Sequence, residues 1–449
     1  MASLRCLLVV LFLTACGKVN RGSGEDGGGG DTERCEAGTA LACQGQDLLV
    51  CGADGETREV VVCDLSCDQD ALACTCEPGT QSCADGIQSV CGDDGLADIE
   101  ACALGCFDDE RCADIDASNR LTQFLDEAVG GPDLVLPDGT IIDTSTQEII
   151  VDGLPINVEP VLLGAPVEEG GIEVLVFAVS SLTVTGDVVT RGQPALAFVS
   201  DGDIEVSGII RSQAGSGTDG RGDGGGFVNC SADPPMATIG GQGGGGFGGR
   251  GGEGGSVNGG AAGGDGGMVV GNPEIIPLRG GGTNPSVQPA GGALQLVSKT
   301  RIAFGDGGGI NAGGNAGSDN GSGGGAGGGI VLEAPVVVLS SGGVLAANGG
   351  GGGCGNTGTV TASAEAGRPD DQRATGCQTD GSAGDGGRGG AGSTANGSVG
   401  ETISGCGVVA GSGGGAVGRI RVSNAAGDFA PADGAIVSPP ATSSPVGTR

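Results

Sequence analysis

The chain has no histidine, no tyrosine and no tryptophan, and aromatic residues make up 2% of its 449 positions. The missing histidine removes the commonest metal ligand and the commonest general base. Without tyrosine and tryptophan there are no broad aromatic platforms on which sugars or bases stack. Lysine is almost absent too, Lys18 and Lys299 being the two present, and the formal net charge of −35 argues against nucleic acid, which demands clustered cations. With so few large apolar side chains an ordinary globular core is hard to fill.

What the chain has instead is glycine, 102 residues of it, and 18 cysteines. The repeat running through residues 174–215 organises the rest. With a shift of 22 residues, Val176 aligns with Phe198, Leu182 with Ile204, Val184 with Val206, Gly186 with Gly208 and Val188 with Ile210. Apolar and small or polar residues alternate within each copy and turn residues punctuate it, so each copy is several short strands. One such unit has no way to bury its apolar face alone and must stack on neighbours. The fold class expected is mainly β, a parallel β-helix over residues 133–438. The pattern returns at Leu296 and Ile302, with Phe304 at the next inward position, at Leu332 and Val338, and at Ile420 and Val422. Between these copies lie glycine-rich excursions at residues 216–292, 313–329 and 349–415, and a disordered tail is expected at 439–449.

The N-terminus has the layout of an export signal over residues 1–15, a charged Arg5 followed by the apolar run from Leu7 to Leu13. It ends in Leu13-Thr14-Ala15-Cys16, which resembles the lipobox of bacterial lipoproteins. That resemblance implies cleavage before Cys16, diacylglyceryl and acyl (palmitate-type) modification of that residue, and a membrane as partner. With Gly17 following in place of aspartate, it implies the outer membrane or cell surface. Residues 16–34 read as the lipidated cysteine and a flexible glycine-rich tether.

Two cysteine-rich modules follow, at 35–75 and 76–113. Cys35, Cys43, Cys51, Cys63, Cys67 and Cys74 match Cys76, Cys83, Cys91, Cys102, Cys106 and Cys112 in order. Zinc knuckles are missing and an exported setting is oxidising, so disulfides are expected over metal, with 15 connectivities open per module. These modules resemble the small Cys-rich repeats of exported lipoproteins in some Gram-negative bacteria. Four further cysteines, Cys230, Cys354, Cys377 and Cys406, lie in the excursions. If all pair, Cys230 bridges one excursion to another.

Residues 114–132 are expected to hold an amphipathic helix over 118–130, with Ser118 as N-cap and Gly130 past its end, covering the N-terminal end of the stack. For the excursions two readings stand side by side: disordered linkers, or extended polyglycine helices of three residues per turn packed along one flank. Their composition superficially resembles that of the PGRS-type glycine-rich surface proteins of bacteria.

Many β-helices are polysaccharide lyases or hydrolases, and the charged candidates here are Asp187, Asp203, Glu205, Arg191 and Arg211. In the 22-residue register Glu205 falls opposite Thr183 and Arg191 opposite Gln213, so no ladder of charge forms and no catalytic residue is assigned. No cofactor or metal ligand is assigned either. Calcium would have to use fragments such as GGDGG at Gly263 or GDGGG at Gly305, which only approximate a calcium-binding repeat. Arg221-Gly222-Asp223 is a chance tripeptide in such a composition. The expectation is a non-catalytic, adhesin-like surface protein that contacts envelope or extracellular protein or polysaccharide. The alternatives are a polysaccharide-acting enzyme and a calcium-dependent binding module.

Overall fold

The computed structural model describes residues 35–449, apart from 36–37, 53–57, 64, 165–172, 213–226, 231–235, 259, 283–288, 319–320, 356–358 and 406; for 227–230 and 236–238 it describes the backbone alone. The expectations for the export signal, for Cys16 and the tether, for the Arg221-Gly222-Asp223 tripeptide and for Cys406 therefore lie outside the described residues.

The fold is mainly β with almost no helix, and most of its sheet pairing is parallel. Three sheets dominate, of eight, seven and five strands. From Val174 onward the chain passes through them in a fixed order: Val174–Val179 in the seven-stranded sheet, Ser181–Val184 in the five-stranded, Val188–Arg191 in the eight-stranded. Ala195–Ser200, Ile204–Val206 and Ile209–Ser212 repeat that order, pairing in parallel with the strands before them. Ala293–Ser298, Arg301–Phe304 and Gly309–Asn311 make a further pass, and Gly329–Glu333, Val336–Leu339 and Val344–Ala346 another. One core cluster takes Phe177, Phe198, Leu296 and Leu332 from the seven-stranded sheet, Leu182, Ile204 and Ile302 from the five-stranded, and Val188, Ile210 and Ile310 from the eight-stranded. Phe177 stacks on Phe198 with ring centroids 5.4 Å apart. Burying each such side chain is worth roughly 1.5–3 kcal/mol.

The register departs from expectation by one residue in two places. Phe177, not Val176, lies opposite Phe198, while Leu182 lies opposite Ile204. The turn between Ser200 and Ile204 is one residue longer than its counterpart between Val179 and Leu182, so one constant shift does not serve both strands. Likewise Val337, not Val338, lies opposite Ile302, because the Ala334-Pro335 turn is one residue shorter.

Alternate residues of the seven-stranded sheet point away from this core into a second cluster, in which Val174, Val176, Ala197 and Val199 meet Leu121, Phe124 and Leu125. Buried on both faces, these strands read as continuous apolar runs. The helix that covers them is shorter than expected. It spans Gln123–Ala128, with Thr122 at its N-cap position and no side-chain cap, because Asn119 and Arg120 have positive φ and end any helical path from Ser118. It lies on the flank of the seven-stranded sheet, against Val174–Val179 and Ala195–Ser200, and not over the N-terminal end. That end is finished by antiparallel strands: Glu148–Val151 and Leu154–Ile156 on the eight-stranded sheet, Val161–Leu163 on the seven-stranded. At the other end, residues expected to be a disordered tail supply the strand Thr442–Pro445, paired with Arg419–Asn424.

In the cysteine-rich modules the pairs are Cys35–Cys51, Cys43–Cys67 and Cys63–Cys74, then Cys76–Cys91, Cys83–Cys106 and Cys102–Cys112. Both modules thus join first to third, second to fifth and fourth to sixth cysteine.

Candidate functional site

The three excursions leave from one place and return to one place. Each begins after a strand of the eight-stranded sheet, at Ser212, Asn311 or Ala346, and ends where the seven-stranded sheet resumes, at Ala293, Gly329 or Arg419. Their ends are zipped by main-chain bonds, Gly292 N–H to the Ser212 carbonyl at 2.9 Å and Gly328 N–H to that of Ala312 at 2.7 Å. Since neighbouring strands stand about 4.8 Å apart, three loops rooted on adjacent strands must run side by side.

They pack as extended chains with a hydrogen-bonding period of three. In the buried segment 409–418, the N–H groups of Ala410, Gly413 and Ala416 donate to Ile239, Gln242 and Gly245, while those of Gly411, Gly414 and Val417 donate to Glu401, Ser398 and Ala395. Those of Ser412, Gly415 and Gly418 donate to Gly353, Gly350 and Ala347. Carbonyls of the same segment accept from Gly248, Gly252 and Gly255, from Gly384, Gly387 and Gly390, and from Gly324 and Gly327. Six neighbouring segments surround one. This is the geometry of left-handed, three-residue-per-turn helices, whose main-chain groups point outward in three directions and find partners only in neighbours. A Cβ on Gly411, Gly414 or Gly415 would overlap the carbonyl of Asp385, Arg388 or Gly325, so side chains are excluded by proximity. A disulfide between the fully buried Cys354 and Cys377 ties two of the segments. Of the four cysteines in the excursions this settles two. Cys230 is described in its backbone only, as part of the hairpin Phe227–Cys230 with Met236–Ile239.

Toward solvent the bundle shows every third residue. Arg250 and Glu253, Asp265 and Met268, and Asn396, Val399 and Thr402 are all exposed at that spacing. Where the bundle meets the eight-stranded sheet there is a cleft of about 300 Å³, lined by Arg211, Asn311, Asn315, Glu365, Arg368 and Pro369. A second cleft, of about 440 Å³, separates the strand Arg58–Val61 from the sheet holding Gln81–Ala84 in the cysteine-rich modules.

The charged residues singled out in the sequence do not converge. Arg211 pairs with Asp187 at 2.7 Å, and Arg191 with Asp143 at 2.8 Å. Asp203 accepts from Thr300, and Glu205 stands exposed on the five-stranded sheet opposite Thr183. The Arg211 guanidinium holds the Asp187 carboxyl below its usual value. Likewise the Thr375 main-chain N–H, with Arg368 nearby, holds Glu365 low. Among the described residues no three carboxylates gather; Asp265 is exposed on an extended segment of the bundle and Asp306 on a turn. The one cluster of potential ligand atoms, Cys83, Cys102 and Cys106, is oxidised: Cys83 and Cys102 approach to 3.5 Å, but each is committed to a disulfide and offers no thiolate.

One group of polar residues escaped the sequence reading. Gln295, Glu333 and Arg421 lie buried on the covered face of the seven-stranded sheet, in strands that pair with one another. Arg421 pairs with Glu333 and donates to the Glu274 carbonyl at 2.7 Å; Glu333 also accepts from Gln295 at 2.7 Å and from the Ser118 N–H at 3.0 Å. The polar letters in ALQLVS, GIVLE and RIRVSN are the only signal in the sequence, and nothing local to each strand says that they meet.

Seven disulfides among the described residues indicate an oxidising or extracellular environment. Comparison of the chain with protein families, with curated proteins and with solved structures finds no match.

Proposed function

We propose that this is a lipid-anchored surface protein of a bacterial envelope, a non-catalytic scaffold of the adhesin kind, whose three main sheets are the faces of a parallel β-helix. The repeated passes in one order, around one shared core, support the β-helix. The observation that carries the functional reading is the glycine bundle: the longest segments of the chain form a rigid lattice that turns every third side chain of its outer strands outward. A lattice of that kind presents a fixed pattern of groups to a partner, which lowers the ordering cost of contact. The export signal ending in Cys16 and the tether at 17–34 support placement at a membrane surface, outer membrane or cell exterior. Two or more acyl chains hold a protein stably in a bilayer.

The test is expression of the full chain in a Gram-negative host fed radiolabelled palmitate. Label should enter the wild type and not Cys16→Ser, and the wild type should fractionate with outer membrane. Equal labelling of both, or a soluble periplasmic wild type, would remove the anchor from the proposal.

A further inference from the structure

We infer that the cleft where the eight-stranded sheet meets the glycine bundle is a binding site for a neutral sugar ring, held by Arg211, Asn311 and Asn315 on one wall and Glu365 and Pro369 on the other. This rests on reading the body as a binding scaffold, and it names the ligand class.

The wall groups are fixed before any ligand arrives. Arg211 is held by Asp187 at 2.7 Å through one Nη, and its remaining N–H groups have no partner among the described residues. The Asn311 Oδ1 accepts from the Gly313 N–H at 3.0 Å, which orients its amide. The opposite wall is pinned by the fully buried Asn348, whose Nδ2 donates to the carbonyls of Arg368 at 2.8 Å and Asp370 at 2.6 Å. Ser438 of the eight-stranded sheet donates to the Asn348 Oδ1 at 2.6 Å. The Glu365 Oε2 accepts from the Thr375 N–H at 3.0 Å and lies 3.6 Å from an Arg368 Nη, which fixes the carboxylate in the wall and leaves Oε1 as its free acceptor. The floor is two excursions in contact, the Gly367 N–H bonding the Gly314 carbonyl at 2.7 Å. A preorganised shell on rigid elements is what small-ligand recognition requires.

The chemistry of the walls selects the ligand. Guanidinium and amide donors face a carboxylate acceptor, a mixture that suits hydroxyl groups, each of which both donates and accepts. Both arginines are already neutralised, Arg211 by Asp187 and Arg368 by Glu365 and Asp370. A uronic acid or a phosphate would bring negative charge to a locally acidic site on a chain of formal charge −35. Exposed Pro369 offers the apolar patch for a ring face that tyrosine or tryptophan would otherwise supply. Binding without an aromatic platform is expected at about millimolar dissociation constant.

The experiment is saturation-transfer NMR of the full chain against glucose, galactose, mannose, N-acetylglucosamine and glucuronate. At least one neutral sugar should show transfer and glucuronate none, and Arg211→Ala and Asn315→Ala should each weaken binding about tenfold, the worth of one good hydrogen bond. Among the described residues Asn315 makes only main-chain bonds, so its variant stays informative if removal of Arg211 disturbs Asp187. No transfer to any neutral sugar, preference for glucuronate, or binding indifferent to both variants would overturn the site. Release of reducing ends from an oligosaccharide would instead overturn the non-catalytic reading and leave the cleft standing.

Discussion

A glycine in segment 409–418 is required by what lies beside it and not by its own backbone angles. No positive φ is involved at Gly414, yet a methyl group there would collide with the Arg388 carbonyl, so the neighbouring chain has to move. Gly414→Ala should cost about 1–3 kcal/mol, the usual penalty of overpacking, measured by denaturant unfolding. An unchanged midpoint would show that the lattice yields. Buried charge makes a second prediction at this scale. Glu333→Gln leaves the Arg421 guanidinium, whose side chain is 10% exposed, without its countercharge and should cost about 3–5 kcal/mol. Replacing both, Glu333→Leu with Arg421→Met, should recover most of that loss; if it does not, the pair does more than satisfy itself. For pH, the sign follows from Asp187 and Glu365, both depressed in the fold. Their contribution is present above the ordinary carboxylate values of 3.8 and 4.5 and fades as pH falls through the lower folded values. With no histidine in the chain, the melting temperature should stay flat from about pH 6 to 8 and drop only in acid. A transition near neutrality would contradict this.

At the scale of elements, strands were legible where alternation was clear and ambiguous where both faces are covered. In ALAFVS every position is buried, so the letters alone did not say which residues face the shared core, and Val176 was placed opposite Phe198 in error. The helix was legible from Leu121, Phe124, Leu125 and Ala128, but its start was not. Asn119 and Arg120 take positive φ where Asn119 donates to Gln295 at 2.8 Å, a long-range contact that no local pattern announces. Of the candidate cleft, Arg211 was singled out and its partners were not, because Asn311 and Asn315, at the root of the second excursion, share no motif with Glu365 in the third. The disulfides lend themselves to a direct check. Peptide mapping without reduction should recover the repeated first-to-third, second-to-fifth and fourth-to-sixth pattern in both modules, and Cys354 with Cys377. It should also find Cys230 joined to Cys406, the pairing that remains if every excursion cysteine is oxidised. Cys354→Ser with Cys377→Ser should destabilise the chain by about 3 kcal/mol, given a sequence separation of 23.

For the whole molecule, the cost of ordering more than a hundred residues of glycine-rich chain is met by hydrogen bonds that run between excursions. Glycine loses the most backbone freedom on folding, so an isolated excursion has little reason to order. The central segment should accordingly be among the most protected against amide exchange, and the protection should fall together across segments 241–255, 347–355 and 384–401 when Gly414 is substituted. Loss confined to residues around 414 would mean the segments order independently. The sequence by itself determined the composition of the whole and the periodicity of the middle: paired cysteine modules, β repeats, and an absence of histidine and broad aromatics. These are local properties, carried by composition and by spacing within a few tens of residues. Only the tertiary structure decided whether the glycine runs are ordered, which face of the seven-stranded sheet the helix covers, and which polar side chains meet. Each of these depends on the excursions being rooted on adjacent strands, and that is fixed by contacts between residues as far apart as Gly252 and Gly414.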